Sequence, residues 1–430
     1  METKLKRIAE IAKAKPNERF TSLAHLINKE SLMQSHKEME RKRASGVDAV
    51  TKQDYDEKLD EYLDDLVCRL KRNAYKPQPV RRVYIPKPGT DKKRPLGIPA
   101  YEDKLVQSSL GKVLNAIYEQ DFLECSFGFR PCRGAHDAIK VLNKVLNMKD
   151  INYVVDTDIK GFFDNVSHEW MMKFIEHRVA DPNIQRLVNK FLKAGIVESG
   201  IQYDTHTGTP QGGVCSPILA NIYLHYSLDI WFEKIIRKRC RGKAYMVRYA
   251  DDSVFCFEYE TEARAFYDAL IKRLSKFNLE IAEDKTKIIK LNRKSGDDGE
   301  SFDFLGFTFY MSKSKYMRCK TSKKKYRVSL LKCKLWIKEN LTMPTKEFMF
   351  MVQKKMIGHI NYFAVTHNYR MISNFIFEVR KLIFRGLNRR SQRRSYNWSG
   401  YAKFLLKYPL PKAHTNIKIY ELGAGASYVL

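Results

Sequence analysis

Three carboxylates set the chemistry open to this chain. Asp251 and Asp252 are adjacent in the run Met246-Val-Arg-Tyr-Ala-Asp-Asp-Ser-Val-Phe-Cys-Phe257. Apolar, aromatic and β-branched residues flank them on both sides, which predicts a hairpin with the acids at its turn. Side chains along a strand alternate between faces, so a turn is where two neighbouring acids can serve one site. Two like charges side by side repel unless a cation neutralises them, and a divalent ion with oxygen ligands does so. A solvated Asp-Asp turn is the plain alternative. The apolar flanks weigh against it, and so does a third acid, Asp158, in Tyr153-Val-Val-Asp-Thr-Asp-Ile-Lys-Gly-Phe-Phe-Asp-Asn165. Residues 153–155 read as a short buried strand, and period-two alternation puts Asp156 and Asp158 on one face. Asp158 lies far from Asp251 in the chain, so the site exists only once the intervening segment folds.

The composition narrows the partner. The chain has 430 residues, with 78 Lys+Arg against 49 Asp+Glu and a formal charge of +29. That length allows two to four domains with real cores. The charge exceeds what solubility needs and points to a polyanion. A basic membrane-surface protein would show an amphipathic anchor or a long apolar span, and neither is present, so no membrane partner is expected. The start, Met1 to Lys15, is charged throughout and carries no secretory signal. Eight cysteines at 68, 125, 132, 215, 240, 256, 319 and 333 include no CxxC pair, which argues against zinc and for a reducing, cytoplasmic compartment. The sequence sets no oligomeric state.

The elements that must position the acids follow in order. Residues 1–72 read as mostly helical, with Phe20 to Ile27 at helical spacing and Thr21 or Ser22 as N-cap. Tyr75 to Pro99 is extended by prolines and β-branched residues and turns at Pro88-Gly-Thr-Asp91, giving a basic hairpin. Its Lys and Arg suit phosphate groups such as a nucleic-acid backbone. Residues 101–147 read as two helices around the glycine-broken loop Ser126-Phe-Gly-Phe-Arg-Pro-Cys-Arg-Gly-Ala-His136. Arg130 there is open to two roles, binding a phosphate, a template's if the partner is copied, or packing and capping. His136 reads as structural. Gly208-Thr-Pro-Gln-Gly-Gly brings backbone close to a ligand, and Ser216-Pro217 opens a helix, serine as cap and proline in the first turn. Thr261 to Phe277 is helical. Residues 311–387 read as basic helices, with Lys313 to Arg327 suited to backbone contact.

Asp158-Ile-Lys-Gly-Phe-Phe-Asp, the Pro-Gln-Gly-Gly loop with Ser-Pro, and Tyr-Ala-Asp-Asp stand in this order, preceded by Ser-Phe-Gly-Phe-Arg-Pro. Together they resemble the palm and fingers of reverse transcriptases, and most nearly the group II intron-encoded reverse transcriptase and maturase proteins. The resemblance implies an α+β right-hand polymerase: fingers, a palm of antiparallel sheet with helices, and a helical thumb. It implies an N-terminal extension over 1–72, fingers over 73–150, palm over 151–310, a thumb or maturase domain over 311–387, and a basic DNA-binding-like tail over 388–430. The tail reads equally as a solvated basic arm.

The resemblance also assigns roles. Asp158 and Asp251 bridge two Mg2+ ions, with Mn2+ able to substitute; Asp252 ligates more weakly, and the Ile159 carbonyl is a further ligand. Lys87 and Arg94 meet the incoming triphosphate. Phe163, five positions after Asp158, lies under the sugar and leaves no room for a 2′-hydroxyl, while Phe162 packs inward. Gln211 contacts the incoming dNTP. Leu279 to Ile289 is a strand whose Lys285 sits near the acids and tempers their repulsion. Phe304, Leu305 and Gly306 lie in an aromatic run that resembles the primer grip, with a plain edge hairpin as the alternative. Expected partners are an RNA template, an intron RNA in this family, and a DNA primer or target in a bacterial cytoplasm. No cysteine follows 333, so the zinc-bearing endonuclease domain that often ends these proteins is not expected. Three other readings stay open: an RNA-binding maturase with vestigial polymerase activity, a related polymerase recruited to defence or repair, and an RNA-directed RNA polymerase. The bulky Phe163 speaks against the last.

Overall fold

A computed structural model describes residues 2–86, 93–205, 207–292, 300–390 and 395–429. The chain divides into two units. One comprises Met1–Gly134 and Val155–Ile288, the other Ala135–Val154 and Ile289–Leu430.

The first unit is built around the Tyr101–Tyr118 helix, whose Leu105, Val106, Leu110, Val113, Leu114 and Ile117 are fully enclosed. A helix apolar on most of its circumference belongs in a core. Its first turn also buries two charges. Asp103 accepts hydrogen bonds from the Tyr75 hydroxyl and from the Gln78 N–H at 2.9 Å, and Lys104 Nζ donates to the Ala44 carbonyl at 2.6 Å. Burial pushes the Asp103 carboxyl up to about 7, against those two donors.

In chain order the described strands are β1 (Val80–Pro86), β2 (Lys93–Ile98), β3 (Tyr153–Thr157), β4 (Ile196–Glu198), β5 (Ile201–Tyr203), β6 (Ala244–Tyr249), β7 (Asp252–Phe257) and β8 (Lys287–Lys290). Three more follow in the second unit: β9 (Phe302–Phe304), β10 (Phe307–Met311) and β11 (Met317–Thr321). One four-stranded sheet has the order β2-β1-β4-β5, the other β6-β7-β3-β8, and the division between units falls inside β3 and β8. The basic hairpin expected over 75–99 is β1 with β2, antiparallel from Arg81↔Ile98 to Pro86↔Lys93.

The second unit joins the sheet β11-β10-β9 to helices Lys323–Glu339, Thr345–Phe363 and Tyr369–Leu387. Phe348, Val352, Met356, Phe375, Val379 and Ile383 form their common core. Part of the tail joins it. The Trp398–Lys407 helix buries Tyr401 completely, and the Tyr401 hydroxyl donates to the Arg380 carbonyl at 2.9 Å.

Four local expectations are corrected. Phe20 to Ile27 is not an α-helix: it makes one 3₁₀ turn, Ala24–Leu26, and the orphan N–H groups of Leu23 and Ala24 are taken by the distant Asp181 carboxylate at 2.6 and 2.8 Å. Cys215 rather than Ser216 is the cap residue of the Ser216–Leu224 helix, and the Ser216 hydroxyl instead donates back to the Pro210 carbonyl at 2.8 Å. Lys285 precedes its strand, β8, instead of lying in it. The lysine-rich stretch after 311 contains β11, whose Met317, Cys319 and Thr321 point inward while Arg318 and Lys320 are half-buried between them.

Candidate active site

Strands β6 and β7 pair from Ala244↔Phe257 to Tyr249↔Asp252, so Ala250-Asp251 is a two-residue loop. Ala250 has φ +57°, a left-handed conformation uncommon for a residue with a side chain. Asp252, the first residue of β7, is exposed; Asp251 is half-buried. β3 lies beside β7, the Thr157 hydroxyl donates to the Ser253 carbonyl at 3.2 Å, and Asp158 is the residue just past β3. The Asp158 carbonyl accepts from the Ala282 N–H at 2.8 Å, which fixes its backbone. Sheet order thus brings together acids that are remote in sequence.

Their electrostatics show the proximity. Burial first, and the charge of Asp158 after it, raise the Asp251 carboxyl above the ordinary range, while its own N–H, Arg94 and Arg248 oppose the rise. Lys285 Nζ donates directly to Asp158 Oδ2. That bond chiefly raises the lysine's pKa, with the charges of Asp158, Asp284 and Asp252 adding to it. An ammonium already seated among carboxylates, and an all-oxygen donor set, fit a hard divalent cation. Among the described residues no three His, Cys, Asp or Glu side chains already converge on one point. A magnesium site of one or two carboxylates takes its remaining oxygens from water and substrate phosphate.

The other expected residues are placed as follows. Arg94 is exposed on β2, opposite Ile85, and close enough to Asp251 to influence it. Lys87 lies outside the described residues. Phe162 is buried in the core, its ring edge-on to Tyr223, and Phe163 is half-buried beside it. The Phe163 carbonyl accepts from the Thr209 N–H at 2.8 Å. A Cβ on Gly208 would come within 2.9 Å of the Phe163 and Asp164 carbonyl oxygens, so glycine is needed for this approach. Gln211 is half-buried, and its carbonyl accepts from the Gly97 N–H of β2 at 2.7 Å. Ile159 is buried and bridges Ile281.

Arg130 takes the second of its two roles. Its guanidinium is buried and donates to Glu119, at 2.8 Å at closest, and to the Leu123 and Ser126 carbonyls at 2.7 and 2.8 Å. It caps its own loop, and its donors are spent there rather than on a template phosphate. In the second unit Phe304 is buried, so its ring is not a contact surface. Leu305 and Gly306, at φ +50° and +85°, form the tight turn between β9 and β10, and the Leu305 carbonyl accepts from the Tyr362 hydroxyl at 2.9 Å.

One group escaped the sequence reading. Arg248 and Asp229, both fully buried, form a bidentate ion pair behind the acid-bearing turn, with Asn221, Ser126 and Gly128 around it. The signal was present as an arginine in an apolar strand and a lone acid in the apolar run His225-Tyr-Ser-Leu-Asp-Ile-Trp-Phe232.

Residues 85–309 match the family model described as reverse transcriptase (RNA-dependent DNA polymerase). The group II intron-encoded protein LtrA of Lactococcus lactis subsp. cremoris is 37% identical over 222 residues, 51% of this chain and 37% of that protein. Protein YkfC of Escherichia coli is 33% identical over 309 residues, 63% of this chain and 77% of that protein. The 91 kDa protein in the cob intron of Schizosaccharomyces pombe is 40% identical over 174 residues, 40% of this chain and 21% of that protein. The match therefore spans well under half the length of the Lactococcus relative.

Proposed function

The chain belongs to the reverse transcriptase (RNA-dependent DNA polymerase) family, and from that premise we propose that it extends a primer 3′-hydroxyl on an RNA template with dNTPs. Its fold class is α+β, of the right-hand polymerase type. The division into extension, fingers, palm, thumb and tail at residues 72, 150, 310 and 387 is part of this reading. The observation that carries it is the sheet order β6-β7-β3, which sets the Asp251 turn beside the end of β3 where Asp158 stands, bonded by Lys285.

A pair of divalent ions, magnesium by preference and manganese by substitution, supplies activation of the 3′-hydroxyl and neutralisation of the departing pyrophosphate. Asp158 and Asp251 would hold the pair, with Asp252 and the Ile159 carbonyl as lesser ligands. Arg94 neutralises the triphosphate. Lys285, just before β8, bonds Asp158 and lies near the charges of Asp284 and Asp252. Phe163 excludes the 2′-hydroxyl by its bulk. The Gln211 loop, fixed to β2 through Gly97, faces the nucleotide. Leu305 and Gly306 offer turn backbone to the primer strand. The template follows from the relatives, two of which are named for introns: we read the RNA as intron RNA, the primer as DNA at the target, and the setting as a bacterial cytoplasm.

Primer extension on an RNA template with Mg2+, comparing dNTPs with NTPs, tests this. DNA product from dNTPs alone in the wild type, abolished in Asp251→Asn, is the expected result. Tight RNA binding with no extension by either nucleotide set would leave an RNA-binding maturase instead.

A further inference from the structure

Arg248 occupies the strand position two residues before the turn of β6 and β7, and none of its surface is exposed. A buried charge costs several kcal/mol unless its partners are well placed. Here the partners are complete. Nε and Nη2 donate to the two Asp229 carboxylate oxygens at 2.7 and 2.6 Å. Nη1 donates to Asn221 Oδ1 at 3.2 Å and to the Ala250 carbonyl at 2.9 Å, and Nη2 also donates to Ser126 Oγ at 2.8 Å. Guanidinium has five N–H donors, and these five bonds use them.

Several independent constraints converge on Ala250, the left-handed residue immediately before Asp251. Arg248 Nη1 holds its carbonyl. Gly128 meets it so closely that a Cβ there would lie 2.3 Å from the Ala250 nitrogen. The Gly128 carbonyl is itself fixed by Asn221 Nδ2 at 2.7 Å, and the backbone of Arg248 exchanges bonds with Cys125 and Phe127 at 2.8 and 2.9 Å. Asp229 closes a π-helical turn, His225–Asp229, an irregularity that re-aims side chains and recurs at functional sites. An apolar side chain of like volume would often serve stability as well as a buried ion pair. Here one of the five bonds, from Nη1, goes to the carbonyl of Ala250, the strained residue of the acid-bearing turn.

We propose that Arg248, oriented by Asp229, is a positioning residue that fixes the Ala250-Asp251 turn and so presents the Asp251 carboxylate to the catalytic cation. This rests on the reading of Asp251 as a metal ligand. The test uses the full chain with Mn2+ as probe, comparing wild type with Arg248→Lys and Gly128→Ala. The first keeps the charge and loses the fork; the second crowds the turn at the Ala250 nitrogen and leaves the atoms of the ion pair in place. Both variants should fall about a hundredfold in kcat, the scale of an ångström misplacement, with KM for dNTP within about twofold. Mn2+ binding, read by paramagnetic resonance without any turnover, should weaken about tenfold or more, as with outer ligand partners. Folded variants with lowered Tm but wild-type Mn2+ binding and kcat would make the group merely structural and overturn the proposal. If both variants fail to fold, Ser126→Ala removes one acceptor only: weakened Mn2+ binding supports the proposal, and unchanged binding and kcat overturn it. A wild type that binds Mn2+ yet extends no primer would sink the polymerase reading alone, because the Mn2+ comparison still reads the turn.

Discussion

The ring proposed to exclude the 2′-hydroxyl, Phe163, is half-buried and edge-on to Phe162. Its neighbour Phe162 takes the core position, its carbonyl is tied to Thr209, and Gly208 seals the approach. Phe163→Val should therefore leave the fold intact and relax sugar choice, lowering the dNTP-over-NTP ratio of kcat/KM by about ten- to two-hundredfold. Single-nucleotide extension with matched dNTP and NTP measures it, and an unchanged ratio would place the sugar test elsewhere. Lys285 carries a second prediction. With no divalent ion its ammonium is the counter-charge to Asp158. Lys285→Ala leaves the carboxylates unrelieved, so added Mg2+ should raise the Tm of the variant more than that of the wild type. An equal rise would mean that the lysine and the ion do not share the site. That Asp158 and Asp251 come together was readable because short motifs carry them. The Arg248–Asp229 pair was not, because each member looks like an isolated polar residue in an apolar segment until the fold brings them together. Arg130 shows the converse: the sequence allowed a phosphate or a cap, and only the nearby Glu119 decided.

At the scale of elements, the pieces that obey one period were legible and the composite ones were not. The β1–β2 hairpin and the long helices follow prolines, alternation or three-to-four spacing. β11 alternates too, but its outward Arg318 and Lys320 made the stretch resemble a basic helix. The turn at Ala24–Leu26 depends on a carboxylate about 157 residues away in the chain, which no local rule supplies. The Tyr101–Tyr118 helix makes a prediction of its own through Asp103. Its carboxyl is raised to about 7 in the fold, mainly by burial, against about 3.9 when unfolded. The fold thus favours the protonated form. Its contribution is fully present below about pH 4 and is lost as pH rises through 7, a change of a few kcal/mol at about 1.4 per unit. Asp103→Asn cannot ionise, so its stability relative to wild type should climb between pH 4 and 7. Urea melts of both proteins across that range check the slope, and parallel curves would show that Asp103 is ionised throughout.

For the whole molecule the governing quantity is the formal charge of +29. Binding carried by phosphate neutralisation releases counterions, so affinity falls linearly in log–log form with salt. Six to ten phosphate contacts would cost about a thousandfold or more between ~50 and ~200 mM salt. A cognate intron RNA and an unrelated RNA should then share most of this slope and differ in its offset, because backbone contacts are blind to sequence. The helix Lys323–Glu339 offers a way to locate part of the slope. Its Lys324, Lys332, Lys334 and Lys338 are exposed, and Ile337 is the buried side chain on its inner face. Replacing Lys332 and Lys334 by alanine removes charge without touching that core and keeps good helix formers in the turn. If both lysines meet phosphates, the log–log slope should become shallower by about 1.4 on a single strand and about 1.8 on a duplex. The duplex value would place the helix along the template–primer hybrid and the single-strand value along unpaired RNA. An unchanged slope with intact folding would assign the excess charge to other faces of the protein and remove this helix from the nucleic-acid path.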